Sequence, residues 1–149
     1  LFIFGMAFIT MIVVFVYSMV NSFSNAGEAT DDSPALTDVE SAMIDTLVDE
    51  GIAAYHQQRY DQAKGFFDKA LTIDNKNKFA LYNRALVFYT QQDYARSISE
   101  CYRCIDYHDY GYAYYLLGDN YLSVGNYDSA IYALEQAYQK DVPDPQLAV

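Results

Sequence analysis

The sequence predicts an all-α protein: a single transmembrane helix followed by a three-repeat α-solenoid. Three observations lead there. Residues 1–20 carry no charged side chain. Two independent sets of landmark residues recur with one shared spacing, 34 and then 33 residues. Each period holds two stretches whose apolar residues fall three and four apart, the spacing of amphipathic helices.

The first element is the apolar run. From Leu1 to Val20 the polar side chains are Thr10, Tyr17 and Ser18. As a helix this run rises about 30 Å, the thickness of a bilayer's hydrocarbon core. A helix also satisfies every backbone N–H inside the segment. Tyr17 suits the membrane interface, and Gly5 and Ala7 offer small surfaces to a neighbouring helix. A cleaved signal peptide has a shorter apolar stretch and a basic leader. No Lys or Arg precedes Arg59, while Glu28, Asp31 and Asp32 follow the run. Cytoplasmic flanks are enriched in Lys and Arg. The expectation is a single-pass membrane protein, with the rest of the chain on the non-cytoplasmic (periplasmic or lumenal) side.

Residues 21–36 are rich in Ser, Asn, Gly, Ala and Asp and read as a polar linker. Thr37-Asp38-Val39-Glu40 then forms a capping box that starts a lead helix near 38–57.

The domain over 37–149 is governed by repetition. Tyr60, Tyr94 and Tyr127 share their spacing with Gly51, Ala85 and Gly118. The first helix of each unit carries Leu47, Gly51, Ala54, then Leu81, Ala85, Phe88, then Tyr114, Gly118, Tyr121. The second carries Ala63, Phe67, Ala70, then Ser97, Cys101, Cys104, then Ala130, Leu134, Ala137. Small residues let the two helices approach and the larger one fills the gap. One hairpin cannot bury its face alone, so neighbours must stack.

With these residues the unit resembles the tetratricopeptide repeat: a large residue, Leu-Gly, Tyr, then Ala, an aromatic, Ala, and often Pro. The third unit fits best, through Tyr114, Leu117-Gly118, Tyr121, Ala130, Leu134, Ala137 and a displaced Pro143. The first has Glu50 and Ala54 in place of two of these, and the second has Arg84-Ala85 and both cysteines. The repeats fall at about 44–77, 78–110 and 111–144. The resemblance implies a fold and leaves the function open.

The resemblance also implies a concave groove lined by the first helix of each hairpin. Mapped here it holds Val48, Ile52, Tyr55 and His56, then Phe79, Tyr82, Asn83, Leu86 and Tyr89, then Tyr112, Tyr115, Asp119 and Leu122. Basic residues are nearly absent. Relatives that grip a partner's carboxy-terminal carboxylate use Lys, Arg and Asn there, and that clamp is missing. A tyrosine-rich groove suits an extended peptide or a partner helix, and Asn83 offers a bond to its backbone.

Other features exclude functions. Asp plus Glu total 20 against 9 Lys plus Arg, a net charge of -11, which argues against nucleic acid. Cys101 and Cys104 form C-x-x-C, but in the register of Phe67 and Ala70, so they read as core rather than as a redox pair or metal site. His56 and His108 fall near helix ends and share no ligand spacing. No nucleophile with a paired base, phosphate loop or metal cluster is present. No catalytic residue, cofactor, metal or small-molecule substrate is therefore expected. The third hairpin ends near Lys140 without a polar capping helix, so Ile131 and Tyr138 should lie exposed, to be covered by further chain or by a partner.

The function expected is a non-catalytic, membrane-anchored protein–protein interaction scaffold, a subunit or assembly factor of a multi-subunit membrane complex. Its partners would be the lipid bilayer and other protein subunits, met through the groove, the last repeat and the transmembrane helix. The alternative is a peptide-binding receptor or chaperone-like adaptor. Tyrosine-rich repeats with Asn and Asp at the turns give the sequence a bacterial cast.

Overall fold

Thr37 caps the first helix as the sequence requires: its hydroxyl accepts from the Glu40 N–H at 3.2 Å, and Glu40 accepts from the Thr37 N–H at 2.9 Å. The structure, a computed structural model, describes residues 35–140. The expected anchor residues Leu1, Gly5, Ala7, Tyr17 and Val20 lie outside the described residues, as does most of the linker. Among the described residues no helix is long and apolar enough to cross a membrane.

Six helices follow in sequence: α1 Asp38–His56, α2 Tyr60–Ile73, α3 Lys78–Thr90, α4 Tyr94–His108, α5 Gly111–Ser123 and α6 Tyr127–Gln139. They pair as three antiparallel hairpins, α1/α2, α3/α4 and α5/α6, each stacked on the next. The spacings of 34 and 33 thus mark structural repeats. Asn77, Asp93 and Asn126 cap α3, α4 and α6 through side-chain oxygens, satisfying N–H groups that have no partner within the helix.

The turns inside the hairpins repeat as well. Gln58, Gln92 and Gly125 occupy equivalent positions with φ of 59°, 62° and 76°. In each turn the next residue's N–H bonds back to a carbonyl five residues earlier: Arg59 to Ala54, Asp93 to Phe88 and Asn126 to Tyr121, all at 2.9 Å. This closes the last helical turn through a left-handed residue. Only Gly125 adopts that conformation without a steric cost from a Cβ.

Close approach within each hairpin is a matter of matched sizes. An added Cβ on Gly51 would meet the Phe67 ring at 2.4–2.9 Å, and one on Gly118 would meet Leu134 at 2.6 and 2.7 Å. In the middle hairpin the same position is Ala85, and the large partner is replaced by Cys101, in one buried cluster with it. What reads as the second unit's departure from the pattern is a compensating exchange of volume. Both cysteines are fully buried. Burial first, then the neighbouring Cys104, drives the Cys101 thiol far above its ordinary range, and burial pushes Cys104 up to about 12. This is core behaviour, as their register predicts.

The other departure, Arg84, is also explained. Its guanidinium, 15% exposed, bridges Asp68 of α2 and Glu100 of α4 at 2.7 Å each. Arg103 also pairs with Glu100 at 3.1 Å. An ionic link thus joins three consecutive helices. Further along, Asn120 is fully buried and donates to Ser97 Oγ at 2.9 Å and Leu116 O at 2.7 Å, while Ser97 donates to Ala85 O at 2.9 Å.

Candidate peptide-binding groove

The hairpins define two surfaces. The first helices touch one another across the stack, α1 with α3 and α3 with α5, whereas the second helices α2, α4 and α6 do not. Helices packed closer on one side curve the array toward that side. The inner, concave surface is therefore built from α1, α3 and α5, the helices expected to line it.

The repeat spacing places five positions of each inner helix in register. They run Asp45, Phe79 and Tyr112; Val48, Tyr82 and Tyr115; Asp49, Asn83 and Leu116; Ile52, Leu86 and Asp119; and Tyr55, Tyr89 and Leu122. Ile52, Tyr55, Tyr82, Asn83, Leu86, Tyr89 and Tyr115 are half-buried, and Phe79, Tyr112 and Leu122 are 46%, 38% and 45% exposed. Val48 requires a correction. It is 7% exposed and belongs to the core with Ile44, Leu71 and Leu81. At the same register Tyr82 is long enough to reach the surface; the methyls of Val48 stop beneath it.

Three of these positions, Phe79, Tyr82 and Tyr112, converge with Tyr110 at the amino-terminal end of α3 and α5. The Tyr82 ring stands edge-on to Tyr110 and Tyr112 at 5.6 and 6.3 Å, and Phe79 stands edge-on to Tyr110 at 6.4 Å. Tyr110 and Tyr112 lie 5.5 Å apart. Such geometries align ring edges with ring faces and fix the side chains. Lys78 Nζ sits 5.0 Å from the Phe79 centroid and 5.7 Å from that of Tyr110. Burial, and next the neighbouring Tyr110, push the Tyr82 hydroxyl well above its ordinary range.

At the opposite end, Tyr55 bridges helices: its hydroxyl shares a 2.8 Å hydrogen bond with Thr90 Oγ, and its ring lies 5.5 Å from Tyr60. Tyr89 packs edge-on to Tyr94 at 5.8 Å. Asn83 Nδ2 donates to Phe79 O at 2.8 Å, which orients the amide. Asp119 is half-buried, and burial holds its carboxyl above the usual range. His56 and His108 end α1 and α4 as expected, with His108 bonded to the Lys76 carbonyl. Among the described residues no group of three or more His, Cys, Asp and Glu is placed to hold a metal.

Two members of this surface escape the sequence reading. Tyr110 precedes α5 in the turn, so it has no helical register to reveal it. Thr90 ends α3, where a lone hydroxyl reads as a helix terminus.

Two family models described as tetratricopeptide repeat match residues 48–106 and 111–139, together more than half of the chain. The Heat shock protein sti1 homolog of Schizosaccharomyces pombe is 26% identical over 106 residues, covering 70% of this chain and 18% of its own. The Small glutamine-rich tetratricopeptide repeat-containing protein of Dictyostelium discoideum is 31% identical over 78 residues, 52% of this chain and 23% of its own. The chain thus spans less than a quarter of the length of these curated relatives. Among solved structures, the second TPR of Spaghetti (RPAP3) bound to the HSP90 peptide SRMEEVD superposes with a TM-score of 0.64 at 18% identity, covering 69% of this chain and 98% of that one. The TPR2B domain of yeast Sti1 in its pHsp70 complex gives 0.65 at 19%, covering 67% and 81%. The Yersinia enterocolitica type III secretion translocator chaperone SycD gives 0.67 at 13%, covering 75% and 86%. These likenesses cross from eukaryotes to bacteria and so give no support to a bacterial source in particular. Two repeat models in the register of the three stacked hairpins establish that the chain belongs to the tetratricopeptide-repeat family.

Proposed function

We propose that the chain is a non-catalytic peptide-binding adaptor of the chaperone-associated kind, holding an extended segment of a partner protein in its inner groove. The observation that carries this reading is the aromatic floor of Phe79, Tyr82, Tyr110 and Tyr112 on the concave surface. Rigid rings supply large contact area at low entropic cost, as binding hot spots do. Two similar structures support it: the matched Spaghetti and yeast Sti1 domains are described with an HSP90 peptide and with pHsp70. The reading takes over from the sequence-based preference for a membrane-complex subunit.

The test is peptide selection against the full chain in mild detergent, followed by affinity measurement. Phe79→Ala and Tyr112→Ala change exposed rings. Their combination should weaken selected peptides about 10-fold or more, in line with hot-spot truncation. Unchanged affinity in a folded double variant would remove the groove from the function.

The subunit reading keeps one observation of its own. Ile131 and Tyr138 are 56% and 83% exposed on α6, around a shallow depression also lined by Leu134, Glu135 and Gln139. In α4 the equivalent Ile98 and Ile105 pack against the next hairpin's cluster. On that reading the uncharged run 1–20 is a single membrane tether and the repeats face the non-cytoplasmic side. Stoichiometric co-purification of one partner in mild detergent, lost on Tyr138→Asp, would favour it.

A further inference from the structure

We propose that the groove takes a cationic segment: an internal stretch of a partner chain in which Lys or Arg alternates with apolar side chains, not an acidic carboxy terminus. The proposal rests on the adaptor reading and names its ligand.

The argument is charge complementarity on the fifteen register positions of α1, α3 and α5. Three of them are carboxylates, Asp45, Asp49 and Asp119, and none is Lys, Arg or His; the cations nearby are Lys78, over the Phe79 ring, and His56, which ends α1. Asp45 stands where the other inner helices carry Phe79 and Tyr112, and Asp49 stands where α3 carries Asn83. Asp119 takes the place of Ile52 and Leu86. Each inner end helix thus carries an anion among its register positions. Among the described residues no cation ion-pairs with any of the three. Asp45 and Asp49 are exposed, and Asp119 is half-buried without such a partner. A carboxylate partly withdrawn from water gains most from a cation that arrives with a ligand.

The rings of the floor also attract cations. Lys78 already places its ammonium over Phe79 and Tyr110 at the groove's edge. Tyr82 and Tyr112 belong to the same ring cluster. A ring face attracts Lys or Arg, more strongly when water is excluded. The chain's net charge of -11 adds long-range attraction for a basic segment and repulsion for an acidic one. An acidic peptide carboxy terminus would meet three anions against the single ammonium of Lys78 at the edge.

The experiment compares fluorescein-labelled peptides on the full chain in mild detergent. One peptide alternates Leu or Tyr with Lys and has an amidated end. The second replaces each Lys by Glu. The third is SRMEEVD with a free carboxylate. The expected result is binding of the Lys peptide at least about 10-fold tighter than either acidic one, weakening as salt rises. Asp119→Lys should lower affinity for the Lys peptide and raise it for the Glu peptide. Asp45→Lys, at an exposed site that cannot disturb the core, should shift it the same way. Equal or tighter binding of an acidic peptide overturns the charge assignment while leaving the groove in place. If no peptide of either charge binds, the adaptor reading falls and this proposal falls with it.

Discussion

Replacing Gly51 by Ala is the sharpest probe of how these hairpins are held together. In an exposed helix interior, Gly to Ala stabilises by about 1 kcal/mol, because the unfolded chain loses less entropy on folding. At Gly51 the new methyl meets three ring atoms of Phe67 at 2.4, 2.7 and 2.9 Å. Phe67 is fully buried and packs with Ala54, Ala63 and Val87, so a displaced ring would press on those neighbours. Overpacking of this kind costs about 1–3 kcal/mol, and three contacts against a fixed ring argue for the upper end. The net expectation for Gly51→Ala is destabilisation by about 2 kcal/mol. Gly65 is the internal control. It lies in α2 with nothing within 4 Å of an added Cβ. Gly65→Ala should therefore stabilise by about 1 kcal/mol. The same substitution, 14 residues apart, should act with opposite signs and differ by about 3 kcal/mol. Urea unfolding followed by circular dichroism at 222 nm reads the difference as a shift of midpoint. Thermal melts should separate the two variants by more than about 10 °C. If Gly51→Ala is as stable as the parent, α1 and α2 do not approach as described and the size-matching argument fails.

Other expectations follow from single observations. Both thiols should resist a thiol-reactive reagent at neutral pH in the folded chain and react once urea unfolds it; prompt labelling of the native protein would contradict their burial. Gln92→Gly should stabilise by about 1 kcal/mol, because the left-handed backbone at φ 62° is strained for a residue with a Cβ; calorimetry would measure it. Arg84→Met should cost about 2 kcal/mol, since it leaves Asp68 and Glu100 without a shared partner. The same variant should alter the acid limb. Burial raises the Asp68 pKa, but hydrogen bonds from Lys64 and Arg84 outweigh this and hold it below its ordinary value of 3.8. Its contribution is thus present above about pH 4 and lost as pH falls through the lowered folded value. Arg84→Met should flatten the loss of stability between pH 4 and pH 2 relative to the parent, which acid titrations followed by circular dichroism would show.

The sequence by itself determined the helices, their pairing and the repeat. The reason is that repeat packing is local: Gly51 against Phe67 and Gly118 against Leu134 are contacts within one hairpin, written at a fixed spacing. Caps are equally local, so Thr37 and Glu40 could be read directly. The inner face was legible as a register, and twelve of its thirteen named positions, all but Val48, lie at least partly at the surface. Its depth was not. Whether Val48 reaches the surface depends on side-chain length against the distance between stacked helices, which no single helix encodes. Tyr110 entered the aromatic cluster from a turn, where periodicity is silent. Arg84 looked like a departure from the pattern until tertiary structure brought Asp68 and Glu100 to either side of it. Residues spaced by the repeat declare themselves in the sequence. Those that act across the stack do so only once the hairpins are packed, because their partners lie on other helices.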